Sequence, residues 1–205
     1  MTAPLRRTIV GDVSGLPDSA MGPANVVWWG NLGFMLIEGT AFALAIGTYF
    51  YLQSQSPGWP PKGDAPPDLL WGSIFTAAML ASEIPNRWVS ARARKKDARG
   101  VRTGTLVMAL IGIVLLGIRA FELGHLNIRW DHDAYGSVVW MLMVLHTSHL
   151  VTELGETSVQ SAWLFTHRIE TDQFSDVQDN TEYWSFVVLA WLPLYLVLYW
   201  VPRWL

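Results

Sequence analysis

The chain has 205 residues, of which 51% are hydrophobic and 15% are charged, and its formal net charge is −3. Soluble domains carry about a quarter charged residues, so this composition indicates an integral membrane protein. The slightly acidic balance argues against a nucleic-acid partner, which would need a basic surface. The sequence contains no cysteine, which excludes disulfides, iron–sulfur clusters and thiolate-bound copper within it.

Five apolar stretches have roughly the 20 residues that a helix needs to cross a bilayer. They cover residues 26–52, 69–89, 105–126, 135–151 and 183–204. Only helices and closed barrels satisfy the backbone inside lipid, and these stretches lack the alternation of barrel strands. The sequence therefore predicts an all-α fold, with a cytoplasmic segment over residues 1–25 and one bundle of five transmembrane helices over residues 26–205. The stretches 54–68 and 160–180 are expected to be loops.

The connection between the second and third predicted helices is strongly basic. It contains Arg92, Arg94, Lys95, Lys96, Arg99 and Arg102. Short loops rich in Lys and Arg stay in the cytoplasm, so we expect this connection on the cytoplasmic side, together with the N-terminal Arg6 and Arg7. The two loops expected outside carry one basic residue each, Lys62 and Arg129. This topology puts the C-terminus in the periplasm; a role for the basic run in binding a partner is the alternative.

Ionisable side chains inside an apolar helix are costly, so each of them is a candidate functional residue. The candidates are Glu38, Glu83, Arg119, Glu122, His146 and His149. Glu38 lies about ten residues into the first helix, or about 15 Å, which is near the bilayer midplane. No partner for it can be identified from the sequence. Arg119 and Glu122 are three residues apart on one helix, and we expect them to form an ion pair at the outer interface.

Three interpretations of these candidates compete. His146 and His149 share one helix face, so they cannot be the opposite axial ligands of one haem. The segment from Glu122 to His125 matches the Glu-x-x-His half of a four-helix di-iron site, but the second copy that such a site needs is absent. The third interpretation is hydrogen bonding between helices, without chemistry. We therefore predict no catalytic, cofactor-binding or metal-binding residue in this chain.

Small residues recur at one-turn spacing on the first two predicted helices. The two stripes are Gly39, Ala43 and Gly47, and Ser73, Ala77 and Ala81. Stripes of this kind mark close contacts between membrane helices. The contacts could lie within the bundle or with another subunit, and the sequence does not distinguish the two.

Four ordered segments carry a family resemblance over nearly the whole chain from Trp28 onwards. They are Trp28-Trp29-Gly30 with Ile37-Glu38-Gly39-Thr40, Phe121-Glu122-Leu123 with Tyr135-Gly136-Ser137, His146-Thr147-Ser148-His149, and Tyr183-Trp184-Ser185-Phe186. Together they resemble subunit III of the haem-copper cytochrome c oxidases, in its short five-helix bacterial form. On this resemblance Glu38 takes the place of the family's midmembrane carboxylate. Ser185 and Val188 stand where the family usually has His and Asp.

The resemblance implies an accessory, non-redox subunit of a terminal oxidase in the bacterial cytoplasmic membrane. The haems and copper would then belong to partner subunits I and II. This chain would pack on subunit I, bind phospholipid, and support proton uptake and stable turnover. An accessory subunit of a nitric oxide reductase is one alternative, and a stand-alone membrane protein with its own haem or di-iron centre is another. A small transporter is disfavoured because the sequence has no repeated halves.

Overall fold

The computed structural model describes residues 21–61, 65–169 and 171–204, and all of the secondary structure in them is helical. The five long helices are α1 (Val26–Gln55), α2 (Leu69–Arg94), α3 (Ala98–Gly124), α4 (Ala134–Thr166) and α5 (Thr171–Tyr195). A π-helical turn, Leu196–Trp200, joins α5 to the short α6, Val201–Trp204. The all-α prediction is confirmed. The predicted roles of Arg6, Arg7 and Lys62 fall outside the described residues.

The first four helices begin at a polar N-cap. Each cap accepts a hydrogen bond from a backbone N–H in the first turn, and the four caps are Asn25, Asp68, Asp97 and Asp133. These bonds satisfy N–H groups that have no partner inside the helix, and so they fix where each loop ends. At Asp97, the N–H of Gly100 and then the guanidinium of Arg92 lower the pKa of the carboxyl group from its ordinary value.

The prediction of a loop over residues 160–180 is wrong. α4 continues to Thr166 and α5 begins at Thr171, so the connection is only a few residues long. The first half of α5 is polar but buried, and several of its polar side chains have polar partners on α1 and α4. For example, Asn180 Nδ2 donates to Glu153 Oε1 at 3.1 Å, and Asn180 is only 6% exposed. Polarity alone does not separate such a helix from a surface loop.

Four helical stretches are long and apolar enough to cross a membrane: α1, α3, α4 and the stretch Asp172–Trp204. α2 has 26 residues but is not one of these, and its second half contains Glu83, Asn86 and Arg87. The chain is therefore a multi-pass membrane protein, and its described residues contain four apolar spans. A fifth crossing, by α2, stays a prediction.

Contacts between helix ends show that consecutive helices run antiparallel. Near one end, Arg102 Nε of α3 donates to Leu164 O of α4 at 2.6 Å. Near the same end, Asn25 Nδ2 before α1 donates to Ser175 Oγ of α5 at 2.8 Å. At the other end, Arg203 of α6 donates to a backbone carbonyl just before α2. α5 lies at the centre and contacts the other four long helices, whereas α1 packs on α4 and α5, and α2 packs on α3 and α5.

The stripes of small residues lie mostly on the outside of this bundle. Gly39 is partly buried near Phe186, but the rest of both stripes is exposed: Ala43, Gly47, Ser73, Ala77 and Ala81. These surfaces are therefore open to contacts beyond this chain. A different glycine, Gly72, makes a close approach inside the bundle, because a Cβ atom there would overlap the ring of Tyr199.

Candidate functional site

Arg119 lies at the centre of a buried polar cluster, and its side chain is 1% exposed. Its Nη1 donates to Glu122 Oε2 at 2.7 Å, so the predicted ion pair is present. Both side chains face the interior of the bundle, and the position of the pair at the outer membrane interface stays a prediction. α4 and the π-helical turn after α5 cover this face of α3 and supply polar partners, which the sequence of α3 alone does not show.

Two aromatic rings enclose the Arg119 guanidinium. Its central carbon lies 3.6 Å from the ring centroid of Phe75 on α2 and 4.1 Å from that of Trp191 on α5. The negative faces of aromatic rings attract a cation, and the attraction is stronger away from water. The rings therefore replace part of the hydration that Arg119 loses on burial. Trp191 is itself held by a hydrogen bond from its Nε1 to Thr76 Oγ1 at 2.8 Å.

His146 and Tyr199 complete what we call the Arg119 cluster, which consists of Arg119, Glu122, His146 and Tyr199. Tyr199 donates its hydroxyl to Glu122 Oε1. His146 Nε2 lies 3.1 Å from Val187 O, and His146 Nδ1 lies 3.1 Å from Arg119 Nη2. A carbonyl accepts and a guanidinium donates, so His146 is a neutral imidazole with its proton on Nε2. The cluster thus joins α3, α4 and the π-helical turn after α5 through charge-assisted hydrogen bonds.

These contacts involve the residues that the two metal alternatives, a haem and a di-iron site, would need as ligands. Both ring nitrogens of His146 and both carboxylate oxygens of Glu122 are already engaged by protein groups. His125 is exposed and turned away from Glu122, with its Nδ1 2.7 Å from Phe121 O. The Glu-x-x-His segment therefore does not present its two side chains to one metal. Among the described residues, no group of three His, Asp or Glu side chains is placed to hold a metal ion.

Glu38 has two partners in the structure, which the sequence alone does not reveal. It accepts a hydrogen bond from Tyr183 of α5 at 2.7 Å, and its Oε1 lies 3.2 Å from His149 Nε2 of α4. His149 Nδ1 lies 2.6 Å from Leu145 O, so this nitrogen must donate. The contact between Glu38 Oε1 and His149 Nε2 is a hydrogen bond when one of these two atoms carries a proton. Their pairing links α1 to α4 and α5 in the middle of the bundle.

Glu83 forms a third polar group, on the face between α2 and α5. It accepts hydrogen bonds from Asn86 (3.3 Å), Arg87 (3.3 Å) and Ser185 (3.2 Å). Ser185 thus gives α5 a polar contact with α2 at the position where the resemblance leads one to expect a histidine. Val188, where an aspartate is expected, is 1% exposed within the apolar core.

A cavity of about 650 Å³, which we call the acidic cavity, opens between α1, α4 and α5. Five carboxylates line it: Glu38, Glu153, Glu156, Asp176 and Asp179. Four of these are absent from the predicted candidates, because residues 160–180 are read as a loop and Glu153 and Glu156 lie near the helix end. Two of the four can be found from the sequence: Asp176 and Asp179 are three positions apart, which places both side chains on one face of a helix.

Comparison with known proteins agrees with this architecture. The family described as cytochrome c oxidase subunit III matches residues 24–203, which include α1 to α5 and the polar clusters. Cytochrome c oxidase subunit 3 of Synechocystis is 24% identical over 182 residues, covering 87% of this chain and 77% of that protein. The probable subunit 3 of Nocardia farcinica is 26% identical over 186 residues, covering 86% and 89%. That of Mycobacterium leprae is 25% identical over 187 residues. This chain belongs to the cytochrome c oxidase subunit III family.

Proposed function

We propose that the chain is a non-redox accessory subunit of a respiratory oxidase in the bacterial cytoplasmic membrane. In this role it packs on subunit I and supports proton uptake and stable turnover, while the haems and copper belong to subunits I and II. The observation that carries the proposal is the Arg119 cluster. Its buried histidine and carboxylate, which a redox centre would use as ligands, are committed to hydrogen bonds that hold helices together.

The proposed orientation has five crossings, with the N-terminus in the cytoplasm and the C-terminus in the periplasm. The antiparallel order of the helices supports it, since α2 runs alongside α3 and α5 in the same bundle. The basic connection between α2 and α3 supports the sidedness, because basic short loops stay in the cytoplasm.

The exterior of α1 and α2 supports a role in a larger complex. Each helix exposes a stripe of small residues next to large apolar side chains, including Leu44 (68% exposed) and Ile84 (75% exposed). Small residues allow the close backbone approach on which membrane helices depend for association. We infer that at least one of these faces contacts a helix of subunit I.

An apolar groove between α1 and α5 supports phospholipid binding. It has a volume of about 570 Å³. Its apolar lining is formed by Leu32, Met35, Leu36, Phe186 and Leu189. A groove of this shape and chemistry fits an acyl chain, which adds contacts that bulk lipid does not make.

Purification of the native complex through an affinity tag on this chain tests the proposal. The expected result is a haem-copper catalytic subunit in the eluate and no haem or iron in the chain once it is separated. Purification without any haem-copper subunit contradicts the proposal, as does stoichiometric iron or haem in the separated chain. A nitric oxide reductase large subunit in place of the oxidase subunit would move the chain to that complex.

A further inference from the structure

The acidic cavity contains buried carboxylate oxygens that lack a hydrogen-bond partner among the described residues. Glu153 is 0% exposed, and its Oε2 has no hydrogen-bond partner among the described residues. Asp179 is 7% exposed, and neither of its carboxylate oxygens has one. Buried polar groups are nearly always hydrogen-bonded, so these two side chains indicate that the base of the cavity can accept further hydrogen bonds from a bound group.

The rim of the cavity is acidic as well. Glu156 and Asp176 are exposed, and they also line a second cavity of about 610 Å³ that continues between α4 and α5 as far as Trp163. No Lys or Arg side chain lines either cavity among the described residues. The two cavities therefore form one acidic groove that attracts a cation and contains none of its own.

The size and the lining of the groove limit which class of cation it can bind. A bare metal ion needs several oxygen ligands within about 2.0–2.6 Å, and no three acidic or histidine side chains of the described residues are placed for that. A zwitterionic lipid head group brings a phosphate with its amine, and the lining offers that phosphate no cationic side chain. A long basic side chain carries one positive charge and several N–H donors, and a space of about 650 Å³ holds it.

We propose that the acidic groove receives a Lys or Arg side chain of a partner subunit, which reaches Glu153 and Asp179 between Glu156 and Asp176. This inference rests on the proposed function, since it needs a partner in the membrane. In the proposed orientation the groove lies toward the cytoplasm, where the short loops of membrane proteins are rich in Lys and Arg. The exposed carboxylates of the rim steer the basic side chain, and the buried pair at the base holds it.

Neutralising the base of the groove tests the proposal in the intact complex. We expect the double variant E153Q/D179N to lower the fraction of partner subunit that copurifies with the tagged chain about tenfold or more, because the partner's buried charge loses its counter-charge. The matched control is D172N, which removes an exposed carboxylate of α5 that lines neither cavity. Equal amounts of each variant in the membrane establish that the chain is inserted and stable.

Carbodiimide labelling of carboxylates with glycine ethyl ester gives a second readout that does not depend on variants. We expect Glu156 and Asp176 to be protected in the complex, or cross-linked to a partner lysine, and to be labelled in the separated chain. Asp172 should be labelled in both. Equal labelling of the rim in both states, with full retention of the partner by the double variant, overturns the proposal. So does retention that a calcium chelator abolishes, which would assign the site to a metal ion.

The two proposals fail in different ways. If the wild-type chain copurifies with no oxidase subunit, the proposed function fails first. If the wild-type chain and the double variant retain the oxidase subunits equally, the proposed function stands and the occupant of the groove is not a partner's basic side chain.

Discussion

Arg119 and Glu122 form a buried ion pair whose energetics differ from those of the surface pairs in the same chain. Removing one member of a buried pair leaves an uncompensated charge in an apolar interior. At the surface, water solvates the remaining charge. The Arg87–Glu83 contact shows the second case, because the Arg87 side chain is 84% exposed.

We expect Arg119→Met to lower the free energy of unfolding by about 3–5 kcal/mol, because Glu122 loses its counter-charge. Arg87→Met is the matched control, with an expected cost of about 0–1 kcal/mol. Thermal unfolding of the purified chain in detergent measures both. Adding Glu122→Gln to Arg119→Met should recover part of the loss, and equal stability of the two single variants would contradict a paired charge at Arg119.

Glu38 allows a separate test, because the amide of glutamine can keep both of its contacts. The amide oxygen accepts the hydrogen bond of Tyr183 and the amide NH2 can donate to His149 Nε2, so we expect Glu38→Gln to leave the chain in the membrane and in its complex. Glu38→Leu removes both contacts and should cost about 1.5–3 kcal/mol. Membrane abundance and copurification report on both variants. Loss of the Gln variant from the membrane would mean that folding requires a carboxyl group at this position.

The packing of α2 against the π-helical turn depends on a single small residue. Gly72 lies against the Tyr199 ring, and Tyr199 donates to Glu122, so the spacing between α2 and the π-helical turn also positions the Arg119 cluster. The packing of α2 against the π-helical turn therefore affects the hydrogen bond between Tyr199 and Glu122.

We expect Gly72→Ala to destabilise the chain by about 1–3 kcal/mol, since the added methyl group must displace Tyr199. Gly117→Ala on α3 is the control, because a Cβ atom there meets nothing within 4 Å. A helical Gly to Ala change without a clash should gain up to about 1 kcal/mol. Thermal unfolding in detergent again gives the comparison, and a destabilised Gly117→Ala variant would show that the cost at Gly72 is not steric.

Apolar helices that face lipid are predicted well from the sequence. Polar helical segments that are buried by other parts of the protein are predicted less well. The predicted spans overlap all five long helices, and the N-caps confirm the loops that end at Asp68 and Asp133. The first half of α5 and the base of the acidic cavity were not predictable in this way. Their polar side chains are buried by partners such as Asn180 and Glu153, which are 27 positions apart in the sequence. Hydropathy describes one segment at a time and contains no information on such pairs.

For the molecule as a whole, the proposed orientation rests on the basic connection between α2 and α3. Four of its residues are exposed: Arg94, Lys95, Lys96 and Arg99. Reversing their charge should disturb the orientation or the insertion of the flanking helices. Because Arg92 and Arg102 keep their contacts, the change does not remove the bonds to Asp97 and Leu164. Reporter fusions at both termini measure the orientation, and an unchanged topology would contradict the assigned sides.

Arg102 has a further consequence for how the chain is made. It donates to the carbonyls of Leu164 and His167, which lie 62 and 65 positions later in the sequence. At about 5–20 residues per second, a ribosome needs roughly 3–13 s to reach them. In the proposed orientation, Arg102 is during that interval a positive charge on the cytoplasmic side and adds to the signal that retains the connection there. Once α4 is inserted, the same side chain binds carbonyls at the C-terminal end of that helix, so in this orientation one residue contributes first to the topology and then to the packing of the helices.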